Sequence, residues 1–413
     1  MTEPSMVDDP FAGPDAPPEY PMSRAAGCPF DPPATLRTLQ AEGPITRVRL
    51  WDGSTPWLVT RHHEQRVLLA DRRISADSGD PHYPHLSAAL KHLRSQAPTF
   101  ITMDDPEHAR LRRMVMAPFV LKRMESLRPA IQAIVDDRIG AMLSGPSPVD
   151  LVEAFALPVP SRVICELLGV PYADHEFFEA NSRITMTRRS TPEQAAAAME
   201  RLLDYLDRLV GEKLVTPGDD LLSMLAERVR GGELSRREAA LTGRVLLTAG
   251  HETTANMIAL GTLALLEHPD QLVELHDTDD PTVIAGAVEE LLRYLSIVQT
   301  GRLRVAREDI DVCGVTIRAG EGLIFPTDIG NRDPAAFPDP DRLDIHRYAR
   351  HHVAFGFGVH QCLGQPLARV ELQVVYGTLF RRIPTLRLAT EPHDLPFKYD
   401  SSVFGVEALP VTW

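Results

Sequence analysis

The chain has 413 residues, of which 44% are hydrophobic, and it carries a formal net charge of −14. That length supports a large buried core, while the acidic balance argues against a nucleic-acid partner, because phosphate binding needs clustered Lys and Arg. No segment reaches the 18 uncharged apolar residues that a membrane-spanning helix needs. Cys28, Cys165, Cys313 and Cys362 are too scattered for a disulfide framework or a CxxC zinc site.

In chain order, "MTEPSMVDDPFAGPDAPPEYP" is acidic and proline-rich, without a basic start or an apolar run. It reads as a flexible lead-in over residues 1–25, not a secretory signal, and implies a cytoplasmic protein. Residues 45–61 alternate about Asp52-Gly53 and predict a β-hairpin. "DDPEHARLRRMVMAPF" predicts a helix with an Asp105 cap and Pro106 in its first turn, and "DDPTVIAGAVEELLRYL" predicts the same at Asp280-Pro281. Between them, Ser235 and Glu238 form a capping box, and no proline follows until Pro269. Roughly thirty helical residues there would span about 45–50 Å. The middle of this helix is apolar nearly all round, as in a helix buried through a domain centre. "DIDVCGVTIRAGEGLIFP", residues 309–326, predicts a second hairpin. With no repeat, linker or change in composition, residues 1–413 read as one domain, mainly α with small β-sheets.

Two stretches carry chemistry. In "AGHETTAN" the pair His251-Glu252 lacks the second histidine of a zinc protease, since Ala255 stands where HExxH needs it. Thr253 and Thr254 could simply bond back to their own helix, with Gly250 there for close packing. An ionisable group in an apolar helix is costly, however, and beside a glycine it suggests a local opening for a ligand and its water. In "AFGFGVHQCLGQPLAR", Gln361 breaks the GxGxxG dinucleotide pattern. Cys362 could be a nucleophile at a helix N-terminus, with His360 as the nearest base, or a small buried hydrophobe. The flanking glycines favour a backbone that passes close to something flat and aims its N–H groups at the sulfur, as at a thiolate-held iron.

These residues carry a resemblance. "FGFGVHQCLG", Phe355–Gly364, is similar to the haem loop of the cytochrome P450 family, FGxGxHxCxG, at every specified position. Glu290 and Arg293 in "EELLRY" resemble the family's ExxR pair, and "AGHETT" resembles the oxygen-binding stretch of its long central helix. "DDPEHARLRR" and the "LPVTW" ending extend the likeness over essentially the whole chain, most like actinobacterial members acting on natural products.

The resemblance implies a cytochrome P450 fold with the long helix over a buried haem b. Cys362 would be the iron ligand, within a cofactor site of His108, Arg112, Ala249, Gly250, Arg304, Phe355, Gly356, His360, Cys362 and Gly364. His108, Arg112, Arg304 and His360 would hold the propionates. Glu252 and Thr253 would relay protons as the catalytic pair, and Glu290, Arg293 and Arg342 or Arg347 would form a network behind the loop. Substrate would meet Leu246, Leu247, Ala249, Ile297, Val298, Val403 and Phe404. The implied reaction is monooxygenation of a medium-to-large lipophilic molecule, such as a polyketide, macrolide, terpenoid or sterol. It would use O2 and electrons from NAD(P)H through ferredoxin reductase and ferredoxin, in a monomer with no membrane or nucleic-acid partner. Arg110, Arg113, Lys122, Arg123, Arg347 and Arg350 are the candidate ferredoxin-steering cations. A peroxide-driven or nitric-oxide-reducing enzyme, a non-catalytic auxiliary protein of the same fold and a cysteine hydrolase are the competing readings.

Overall fold

The computed structural model describes residues 16–24, 28–96 and 98–413, so the lead-in expected over residues 1–15 and at residue 25 lies outside the described residues. Residues 16–24, expected to be flexible, are instead tied to the body of the protein. The Tyr20 amide donates to the Arg49 carbonyl at 2.9 Å. The buried Arg24 guanidinium reaches the Ser296 carbonyl at 3.2 Å and lies 4.4 Å above the Phe404 ring.

The architecture is mainly helical with small sheets, as expected. The long helix spans Arg236–Leu266, 31 residues, with both capping-box bonds formed: Ser235 Oγ accepts from the Glu238 amide and Glu238 from the Ser235 amide. At 1.5 Å per residue it runs about 46 Å. It packs against the helices Pro158–Leu168, Pro192–Val215 and Gln365–Arg382. Small residues set the approach. A Cβ on Gly250 would stand 2.7 Å from Ile164 Cδ1, and one on Gly261 would stand 2.0 Å from the Tyr376 hydroxyl. The packing explanation for Gly250 therefore holds on one side of the helix, whatever the other side does.

A five-stranded sheet flanks this bundle, in the order Ile45–Arg47, Trp57–Val59, Gly322–Phe325, Arg302–Ala306, Ile74–Ser75. The hairpin predicted at 45–61 is present, pairing Ile45 with Val59 and Arg47 with Trp57. The stretch 309–326 divides: Ile310–Val312 and Val315–Ile317 form a tight hairpin, and Gly322–Phe325 leaves it to join the large sheet. Its turn uses Cys313 and Gly314, both at positive φ.

The two shorter predicted helices form as Glu107–Met116 and Pro281–Leu295. Asp280 caps the second, accepting from the Thr282 amide at 2.8 Å. The first begins one residue later than expected, with Pro106 outside it. Asp105 there accepts from the Ala109 amide and from His108 Nδ1, both at 3.1 Å.

Candidate active site: a thiol beneath an apolar cavity

The central helix, the loop after Val353 and the strand Arg302–Ala306 enclose a cavity of about 280 Å³. Cys362 opens onto it at the point where the loop meets the helix Gln365–Arg382. The loop's shape depends on glycines: Gly356 and Gly358 have φ of +72° and +75°. A Cβ on Gly358 would also meet the Leu69 carbonyl oxygen at 2.3 Å. The Cys362 amide donates to the Phe355 carbonyl at 2.9 Å, which folds the loop back under the cavity.

Burial pushes the Cys362 thiol up from its ordinary range. Arg302, the Gly364 amide, Arg112 and the Gln365 amide oppose this without reversing it. A thiol held high is a poor nucleophile. The base that a hydrolase would need is weak as well, since burial, then Arg304, His108 and Arg112, lower His360 to about 3. Two amides aimed at a sulfur whose exposed surface faces a cavity suit a thiolate on a metal, where the ion supplies the charge that burial withholds.

One edge of the cavity is strongly cationic. Arg112 and Arg304 line it with His360, while His108 sits behind. The Arg112 guanidinium donates to the Gln361 carbonyl at 2.7 Å, and Arg304 donates to its neighbour Leu303 at 2.8 Å. Among the described residues neither arginine has a carboxylate within ion-pair distance, so both keep donors to spare. His108 Nε2 is buried without a partner. Burial first, then Arg304, His108 and Arg112, lowers His360 to about 3. Buried cations and an orphaned nitrogen call for anions. The two carboxylates on one edge of a haem match that demand, and the glycine loop matches its flat face.

On the central helix Ala249, Gly250, Thr253 and Thr254 line the cavity. Thr253 Oγ1 donates to the Ala249 carbonyl at 2.7 Å, the back-bond that its position in a helix permits. Glu252 is buried off the cavity wall, its Oε1 4.0 Å from His251 Nε2. His251 Nδ1 donates to the Leu247 carbonyl at 2.7 Å, so the ring is held in place beside the carboxylate.

Of the expected substrate contacts, Leu246, Ala249, Ile297 and Val298 line the cavity. Leu247 does not, because helical geometry turns it into the core. Val403 and Phe404 do not either: Val403 bridges to Val298 from behind, and Phe404 stacks on Phe397. Phe100, Ile101, Phe119 and Val245, from segments far apart in sequence, complete the apolar wall.

Behind the loop, Glu290 and Arg293 are both fully buried and doubly bonded, at 2.7 and 2.8 Å. Arg347 closes the network on Glu290 at 3.1 Å. Arg342 does not: its guanidinium is exposed, and only its carbonyl accepts from Arg293, at 3.4 Å. The neighbouring Glu289 builds a second brace that the sequence reading missed. It accepts from Arg369 at 2.5 and 3.0 Å, and that guanidinium lies 4.7 Å from the Phe355 ring centre. Burial alone would raise the Glu289 carboxyl, but His352 and Arg369 overturn this and lower it to about 2. The adjacent pair of glutamates in "EELLRY" was the available signal. Also missed were Arg302 and Glu371 on the cavity wall, the latter raised well above the carboxylate range by burial.

Comparison with known proteins agrees with this geometry. The family model "Cytochrome P450" matches residues 34–401. The chain is 57% identical over 415 residues to cytochrome P450 GfsF of Streptomyces halstedii, covering 100% of both chains. The crystal structure of GfsF superposes with a TM-score of 0.90 at 58% identity, over 96% of this chain and 100% of that one. The chain is 44% identical to the 20-oxo-5-O-mycaminosyltylactone 23-monooxygenase of Streptomyces fradiae, over 95% of this chain and 92% of that protein. MycCI of Micromonospora griseorubida, a mycinamicin VIII C21 methyl hydroxylase solved with mycinamicin VIII, gives a TM-score of 0.90 at 41% identity, over 96% and 100% of the two chains. The thiol, its cationic rim and the whole-length likeness lead to one conclusion: this chain belongs to the cytochrome P450 family and is a haem-thiolate monooxygenase.

Proposed function

We propose that the protein hydroxylates or epoxidises a medium-to-large lipophilic natural product, of which a polyketide or macrolide is the leading class. The observation that carries this reading is an apolar cavity lying directly above Cys362, walled by Phe100, Phe119, Leu246, Ile297 and Val298. Such a wall binds lipophilic molecules with few polar contacts. The activities of the relatives named as a 20-oxo-5-O-mycaminosyltylactone 23-monooxygenase and a mycinamicin VIII C21 methyl hydroxylase support the macrolide class.

Haem b, when bound, would supply the activation of O2 with electrons delivered from NAD(P)H through ferredoxin reductase and ferredoxin. The chain's own residues would do the rest. Cys362 would hold the iron, with the Gly364 and Gln365 amides tempering the sulfur's charge. Arg112, Arg304, His108 and His360 would fix the orientation of the ring through its carboxylates. Thr253 would present a hydroxyl at the cavity, and Glu252 would pass protons to it from the protein interior. The apolar wall would exclude bulk water and hold the substrate.

For ferredoxin docking, the candidate cations narrow. Arg110 is spent on Glu107 and Glu238, Arg123 lies 3.8 Å from Asp219, and Arg347 belongs to the Glu290 network. Arg113, Lys122 and Arg350 remain exposed and are the preferred steering charges. The proposal extends to a monomer working in the cytoplasm; no helix among the described residues is long and apolar enough to cross a membrane.

The test is the spectrum of the reduced, carbon-monoxide-treated protein. A strongly red-shifted Soret band is expected, and its loss in Cys362→Ser. A variant that kept the band would refute the ligand assignment. A panel of macrolides, terpenoids and sterols, scored by the substrate-induced spin-state change of the Soret band, then tests the substrate class.

A further inference from the structure

Arg302 has a charge that nothing in the haem-site reading uses. The strand Arg302–Ala306 pairs antiparallel with Gly322–Phe325, with Arg302 opposite Phe325 and Arg304 opposite Leu323. The two-residue repeat of a strand puts Arg302 and Arg304 on one face and Leu303 and Val305 on the other. Both arginines line the cavity, whereas Leu303 and Val305 are packed in the sheet's own core. The surface that Arg302 does expose therefore belongs to the cavity wall.

Its hydrogen bonding is incomplete. A guanidinium has five N–H donors. Arg302 places one contact on the protein, from Nη2 to the Ala354 carbonyl at 3.2 Å. No carboxylate among the described residues lies within ion-pair distance of it. The carboxyl group on the same wall is Glu371, which burial pushes well above the usual carboxylate range. The wall thus presents three guanidiniums, Arg112, Arg302 and Arg304, none with a carboxylate within ion-pair distance among the described residues. Arg112 and Arg304 share the rim with His360, whereas Arg302 is fixed by the Ala354 carbonyl of the Cys362 loop.

We propose that Arg302 is a carboxylate-holding residue of the active-site cavity, taking an anionic oxygen pair from whatever occupies it. This inference rests on the haem-thiolate reading. The carboxylate has two possible sources: a haem propionate, or an acid group on the organic substrate. A planar guanidinium meets either one through two parallel bonds, which Lys cannot reproduce.

The experiment uses the haem-loaded protein, with Arg302→Gln and Arg302→Lys, and two readouts other than turnover. The first is the rate of haem transfer to excess apomyoglobin. The second is the spin-state titration of the Soret band with dodecanoate and, in parallel, with 1-dodecanol. Loss of a charge-assisted bond predicts a change of roughly 10- to 100-fold in R302Q, with R302K between it and the parent. Faster haem loss with unchanged dodecanoate affinity identifies the propionate as the partner. Weakened dodecanoate binding, with unchanged dodecanol binding and haem retention, identifies a substrate acid. If both readouts match the parent in both variants, the proposal is wrong. If R302Q does not load haem, R302K alone decides, because it keeps the charge and loses the fork. A red-shifted carbon monoxide band in the parent beside unaffected variants would overturn this inference while leaving the haem-thiolate reading intact.

Discussion

Replacing Glu290 with Gln keeps the shape of the buried network and removes its charge. Glu290 accepts four hydrogen bonds: two from Arg293, one from Arg347 Nε at 3.1 Å and one from the Asp344 amide at 3.0 Å. Arg293 carries the connection onward to the Asn331 and Pro340 carbonyls, both at 2.8 Å. The pair therefore ties the helix Pro281–Leu295 to the segment that leads into the Cys362 loop. In E290Q two guanidiniums lose their carboxylate, and a side-chain amide N–H is turned toward donors. Removing one partner of a buried ion pair costs about 3–5 kcal/mol, a large part of the roughly 5–15 kcal/mol that holds a domain folded. We expect haem content per chain to fall steeply and the guanidinium unfolding midpoint, followed by far-UV circular dichroism, to drop. Arg347 has an 11% exposed side chain and is the outer partner, so R347Q should cost less than half as much. E290Q combined with R293Q should cost less than the sum of the two, because they break the same bonds. An E290Q protein within about 1 kcal/mol of the parent, with full haem content, would refute this account.

Two further outcomes are expected. The Glu289 carboxyl is depressed from 4.5 to about 2, so its contribution is present above pH 4.5 and is lost as pH falls toward 2. At about 1.4 kcal/mol per unit this is about 3 kcal/mol. Glu289→Gln should therefore flatten the acid limb of the stability curve, and an unchanged limb in acid titrations would show that the carboxylate is not the responsible group. Gly358→Ala must adopt φ near +75° and overlap the Leu69 carbonyl, whereas Gly314→Ala, at φ +79°, meets nothing within 4 Å. The backbone strain alone is about 1–2 kcal/mol, so G314A should show only that, while G358A should lose more and also lose haem. Equal losses in thermal melts of the two variants would remove the close-approach argument.

Local signals were legible before the fold was known. The capping box at Ser235, the proline-free run behind it and the glycines around Cys362 each act through neighbours a few residues away. They correctly located the central helix and the cysteine-bearing loop. The same reading went wrong where direction matters. Leu247 and Leu246 are adjacent in sequence, yet helical geometry turns one into the core and the other to the cavity. Arg342 and Arg347 were equivalent candidates for the Glu290 network, and the path of an irregular segment chose between them. Residues 16–24 looked unstructured by composition but are held by the Arg49 and Ser296 carbonyls, partners that no local pattern names.

The sequence by itself determined the cysteine-bearing loop and, through its resemblance to the haem loop of the cytochrome P450 family, the reaction class, because that motif is encoded within a dozen consecutive residues. Only the tertiary structure decided what surrounds that thiol. The cationic rim, the unmatched Arg302 and the Glu289 brace join residues tens to hundreds of positions apart. Whether a charge is spent or free depends on which distant backbone carbonyl or carboxylate the packing brings within about 3 Å.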